Sequence, residues 1–255
     1  MLEAALRRQR AIVLAGLVGV VALAWGYLGI LAGAMDGMPA AVDAAMTGAA
    51  PWTGLDFALM FVMWAVMMVA MMVPGAAPAI LLYARIAHAQ RERGHILAPT
   101  GMFVAGYVVA WTIFSLFATL LQWAMDQSAM LPSTMAGVGP RLGGVLLILA
   151  GLYQFMPIKH ACLRHCRAPL QFFSSRWRKG VGGALRMGLE HGAYCVGCCW
   201  FLMGLLFVAG VMNLLWVAAI AGFVLLEKVL PHGILFGRGA GGALAAAGVL
   251  LIILG

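Results

Sequence analysis

The stretch from Glu190 to Met203, EHGAYCVGCCWFLM, places a carboxylate, an imidazole, three thiols and a thioether inside an otherwise apolar run. Read as helix, His191, Cys195, Cys198, Cys199 and Met203 recur at three- and four-residue steps and share one broad stripe. Thiolate, imidazole and thioether are the donors copper(I) prefers, and zinc accepts them less exclusively. Ionisable side chains on a lipid-embedded helix face the protein interior, because hydrocarbon solvates them poorly. A single cysteine there would read as a small hydrophobe. Three of the chain's five cysteines within five residues, beside a Glu-His pair, read as a ligand set.

The other two thiols lie in Lys159-His160-Ala161-Cys162-Leu163-Arg164-His165-Cys166. Cys162 and Cys166 are one helical turn apart and could share a metal, with His160 and His165 as supporting imidazoles. The competing reading is an interfacial basic segment with incidental thiols. Glu190 could orient an imidazole, but neighbouring positions on a helix face different ways. Arg186, four residues earlier, is its expected partner.

A third group of soft donors occupies an apolar segment that also holds Met60. Met63, Met67 and Met71 form one row at four-residue steps, and Met68 and Met72 form the next. Met67 and Met71 are candidate copper ligands, with Met63, Met68, Met72 and Met203 along a path. Packing explains such stripes equally well. The connections expected on the outer side add Met35, Met38, Met46, Met125, Met130 and Met135, part of a total of 18 methionines.

These residues must be positioned by membrane helices. The chain has 255 residues, is 64% hydrophobic and only 9% charged, and its mean hydropathy is +1.01. Soluble domains carry roughly a quarter charged residues. The composition therefore predicts an all-α, polytopic transmembrane helix bundle forming one domain over residues 1–255. Seven spans are expected, at about 11–33, 54–73, 99–125, 142–157, 181–210, 214–230 and 239–255. Pro74 and Pro78 should kink or break the second. The first apolar run exceeds the roughly 7–15 residues of a signal-peptide core, so it reads as a retained anchor. In this layout the basic residues, among them Arg7, Arg8, Arg10, Arg85, Arg91, Arg93, Lys159, Arg176 and Lys228, fall on one side. Asp36, Asp43, Asp56, Asp126 and Arg141 fall on the other. Positive charge marks the inside, so the N-terminus is expected inside and the C-terminus outside. The net charge of +8 then sets topology and contacts anionic headgroups of the lipid bilayer, rather than nucleic acid. Glu227-Lys228 reads as an ion pair or a snorkelling pair. His88, His95 and His232 read as interfacial. No inverted repeat suggests a two-halved carrier, and no phosphate-binding loop or serine–histidine–acid set is present.

The motif Met63-Trp64-Ala65-Val66-Met67-Met68-Val69-Ala70-Met71-Met72-Val73-Pro74, the segment Lys159-His160-Ala161-Cys162-Leu163 with Cys166 and Pro169, and Gly188-Leu189-Glu190-His191-Gly192 through Cys195, Cys198-Cys199-Trp200 and Met203 carry a family resemblance. Glu227-Lys228 also fits. The sequence resembles the bacterial family of predicted metal-binding integral membrane proteins, a domain of unknown function with a copper chaperone-like label, over roughly residues 55–230. The resemblance implies a lean toward copper.

The leading expectation is a copper(I)-binding protein of the bacterial inner membrane that delivers the ion to a membrane or periplasmic copper enzyme or complex, and that is not itself an enzyme. One rival is a thiol–disulfide oxidoreductase using Cys195 and Cys198, which the expected inner, reducing location disfavours. Another is an accessory structural subunit of a larger membrane complex, with inert thiols or structural zinc. Sulfurs sharing one zinc ion should lie roughly 4 Å apart, given Zn–S bonds of about 2.3 Å.

Overall fold

The computed structural model describes residues 2–36, 52–91, 99–128 and 137–255. Met38, Pro39, Asp43, Met46, Pro51, Arg93, His95, Met130 and Met135 lie outside the described residues, as do the side chains of Arg7, Arg8, Met35, Asp36 and Arg91. Every regular element among the described residues is an α-helix. In chain order these are α1 (Leu2–Asp36), α2 (Gly54–Arg91), α3 (Thr100–Gln127), α4 (Pro140–Tyr153), α5 (Pro157–Arg167), α6 (Pro169–Arg176), α7 (Gly180–Gly204), α8 (Leu206–Ala209), α9 (Leu214–Val229) and α10 (Gly233–Leu254).

Five stretches are long and apolar enough to cross a membrane: Arg10–Ala34, Gly54–Ala89, Thr100–Gln127, Gly180–Ala209 and Gly233–Leu254. Large apolar side chains such as Leu23, Ile30, Ile113, Phe117, Leu215 and Leu254 point outward, which is compatible with helices that face hydrocarbon. The two remaining apolar helices are shorter, with 14 residues in α4 and 16 in α9. A straight span of the hydrocarbon core takes about 20 residues. α4 passes the same test only jointly with α5, from which it is bent by 66°. The bend has a local cause. Met156 precedes Pro157 and is held extended, with φ −70° and ψ 137°, because the proline ring disfavours helical geometry in the residue before it.

Of the kink or break expected at Pro74 and Pro78, the break is absent. α2 runs through both prolines as one helix. Each proline removes one N–H donor, and the small residues Gly75, Ala76 and Ala77 between them leave room for the buried side chain of Lys228, whose Nζ would lie 3.2 Å from a Cβ at Gly75. The turn into α9 is short, as expected. Gly210 takes φ +92°, and Asn213 caps α9 by accepting a hydrogen bond from the Trp216 backbone N–H at 3.1 Å.

Close approaches set two helix pairs. A Cβ at Gly188 would collide with the backbone of Phe103, one at Gly192 would sit 2.6 Å from Ala110 Cβ, and one at Gly106 would strike Leu185, so α7 lies directly against α3. Gly144 and Gly151 meet Gly248 and Gly241 in the same way, joining α4 to α10. α5 and α6 fold back over α7. Tyr83, Phe103, Phe173 and Trp177 stack together where α2, α3 and α6 meet, with Tyr83 and Phe103 centroids 5.0 Å apart.

Candidate metal centre

The stripe on α7 turns inward as a unit. His191, Cys195, Cys198, Cys199 and Met203 are all buried. α5 crosses the same helix and brings Cys166 to it. The sulfurs of Cys166, Cys195 and Cys198 lie within 4.8 Å of one another, all three buried and all three unoxidised. Three sulfurs bound to one ion at about 2.3 Å would lie roughly 4 Å apart, so the trio would close on one ion by drawing in by less than about 1 Å.

Two polar side chains aim at Cys195. Lys228 of α9 donates from Nζ to Cys195 Sγ at 3.0 Å. The Tyr107 hydroxyl of α3 lies 3.0 Å from the same sulfur and 3.0 Å from the Met72 carbonyl. That hydroxyl has one hydrogen. With the proton on the sulfur, Cys195 donates to Tyr107, which donates to Met72; with the sulfur anionic, the Tyr107 hydrogen can turn toward it. An ammonium buried against a sulfur is electrostatically sound when that sulfur is a thiolate, the form that binds metal.

The other stripe residues surround the trio. Cys199 donates to the Cys195 carbonyl at 2.8 Å, and its sulfur lies 3.9 Å from Met72 Sδ, which puts one methionine of α2 beside the thiols. Met63, Met67, Met68, Met71, Met72 and Met203 are all in the buried core. His191 packs beneath Phe172, with centroids 5.3 Å apart, and its buried Nδ1 has no hydrogen-bond partner. It lies outside the compact sulfur group.

Several candidates sit elsewhere. Glu190 points away from the trio and accepts from Arg176, Arg178 and Arg186 at 3.3–3.4 Å, including the expected i,i+4 partner. His160 pairs with the Gln154 carbonyl at 2.9 Å. His165 stacks flat on Tyr194, with centroids 4.1 Å apart, while its Nδ1 lies 2.9 Å from the Ala161 carbonyl. Cys162 packs against Gly197 beside the trio.

Glu227 and Lys228 do not pair with each other. Glu227 accepts from the fully buried Lys159 of α5 at 2.5 Å, and Lys159 also donates to Gln154. Consecutive residues on a helix diverge, so α9 turns one side chain toward Lys159 and the other toward Cys195. Tyr107 carried no signal in the sequence, because an aromatic in an apolar helix reads as packing.

A protein-family model described as copper chaperone (PpoB2) matches residues 61–251. The chain belongs to this copper chaperone family. The matched region contains the trio, Tyr107, Lys228, Cys162 and the buried methionines. Comparison with curated proteins and with solved structures gave no match. The site brings together groups of the types that suit copper(I): soft cysteine sulfurs, a nearby thioether and a buried ammonium that would offset thiolate charge.

Proposed function

We propose that this protein binds copper(I) as cargo within the membrane and passes it to another protein. Cys166, Cys195 and Cys198 form the holding site. The convergence of three buried sulfurs within 4.8 Å, contributed by two helices, carries this reading. Each residue has a distinct part. The trio binds the ion, Lys228 balances its thiolate charge, Tyr107 orients Cys195, and Cys199 with Met72 forms the adjoining soft-donor pair. Met63, Met67, Met68, Met71 and Met203 line the approach along α2 and α7, and His191 stands by with its free nitrogen. The exchange of one soft donor for another needs no redox step.

In this reading the short helices α4 and α9 complete a seven-span bundle in the bacterial inner membrane, with the N-terminus inside, and the recipient is a membrane or periplasmic copper enzyme or complex. Support comes from the clustering of basic residues on α5 and α6. Copper analysis of the purified protein tests the site. Wild type should retain copper(I), and the Cys166/Cys195/Cys198→Ser variant should lose it. Equal copper in both would end the trio's claim.

A further inference from the structure

A buried site binds well but exchanges poorly, because an incoming ligand must touch the metal before the outgoing one leaves. The trio has this difficulty, since Cys195 and Cys198 are 1% exposed and Cys166 7%. Cys162 differs from all three. It lies one turn before Cys166 on α5 and is partly exposed. His165, three residues on and on the same face of that helix, is partly exposed as well, so this face of α5 is more open than the trio.

Cys162 is also seated against the trio's own helix. Its sulfur lies 2.9 Å from the position a Cβ would occupy at Gly197, the residue before Cys198. Any larger residue at 197 would displace that sulfur. The Tyr153 hydroxyl donates to the Gly197 carbonyl and holds this part of α7 in place. The thiol thus stands between the more open face of α5 and the buried sulfurs.

We propose that Cys162 is the exchange ligand, the thiol through which copper(I) passes between the buried trio and an external donor or acceptor. The proposal rests on the trio as the holding site. In the step, a copper–sulfur bond forms to Cys162 as the bond to Cys198 breaks. The proton released by the Cys162 thiol is taken up by the freed Cys198 thiolate. Copper remains copper(I), and no electron moves. Gly197, with no side chain, lets the Cys162 sulfur seat against the turn of α7 that carries Cys198.

The test uses the full-length protein in lipid nanodiscs, loaded anaerobically with equimolar copper(I). Bathocuproine disulfonate serves both as the equilibrium competitor and as the acceptor whose colour reports the transfer rate. Cys162→Ser and Cys162→Ala should hold copper as tightly as wild type yet release it roughly tenfold or more slowly, the scale on which loss of one supporting group alters a metal site. Gly197→Ala should slow release in the same direction by wedging a methyl group against the sulfur. Release at the wild-type rate from Cys162→Ser would overturn the proposal. So would loss of copper at equilibrium, which would make Cys162 a resident ligand. Failure of the holding site is a separate outcome, read from full copper retention by Cys198→Ser.

Discussion

Two buried polar pockets both draw on α5 and α9, and they are built on opposite principles. α5 gives Lys159 to one and Cys166 to the other, and α9 gives Glu227 to the first and Lys228 to the second. The Lys159–Glu227 pocket is closed. One ammonium meets one carboxylate at 2.5 Å, with Gln154 beside them and Arg167 capping the end of α9 through the Leu230 and Pro231 carbonyls. The second pocket sets one ammonium against a group of sulfurs. Its charge balance depends on how many thiolates it holds, and several thiolates around one lysine leave room for a monovalent cation. Buried charge in the first pocket fixes structure; in the second, on the proposed reading, it prepares a binding site.

The contrast can be broken most sharply at Glu227. Glu227→Gln leaves Lys159 buried without its counter-charge and should destabilise the protein by about 3–5 kcal/mol, read as a lower unfolding temperature of the detergent-solubilised protein. Unchanged stability would mean that the pair is not the strut between α5 and α9. Lys228→Met should act the other way round. Copper(I) affinity should fall by about 10–100-fold, whereas the unfolding temperature should move less than in Glu227→Gln, because a sulfur deprived of its ammonium can keep its proton. Chelator competition and thermal unfolding on the same sample check this, and equal stability losses in the two variants would erase the distinction between the pockets. The smallest effect is expected at Glu190. Its three ion pairs are long and partly exposed, so Glu190→Gln should cost less than about 1 kcal/mol and leave copper content unchanged, even though His191 is its neighbour in sequence.

Much of this arrangement was legible from residue spacing. The inward stripe on α7 follows from helical periodicity alone, because thiols and an imidazole at three- and four-residue steps must share a face. The i,i+4 spacing of Arg186 and Glu190 gave their pairing directly. What spacing could not supply was tertiary. Nothing in the sequence says that α5 folds back to bring Cys166, and not Cys162, into the compact group. That choice follows from the bend at Pro157 and from the side of α7 on which α5 lands. Glu227 and Lys228 illustrate the opposite hazard: adjacency suggested a pair, whereas helical geometry sends them to different pockets. The two prolines of α2 likewise suggested a kink or a break, and the helix runs through both without a break.

X-ray absorption at the copper edge on the copper(I)-loaded protein, compared with its Cys166/Cys195/Cys198→Ser variant, tests the holding site most directly. Sulfur should fill the first shell of the wild-type spectrum, and that sulfur shell should be absent from the variant. A wild-type shell dominated by nitrogen or oxygen, or the same sulfur shell in both proteins, would contradict the assignment of copper to these three thiols.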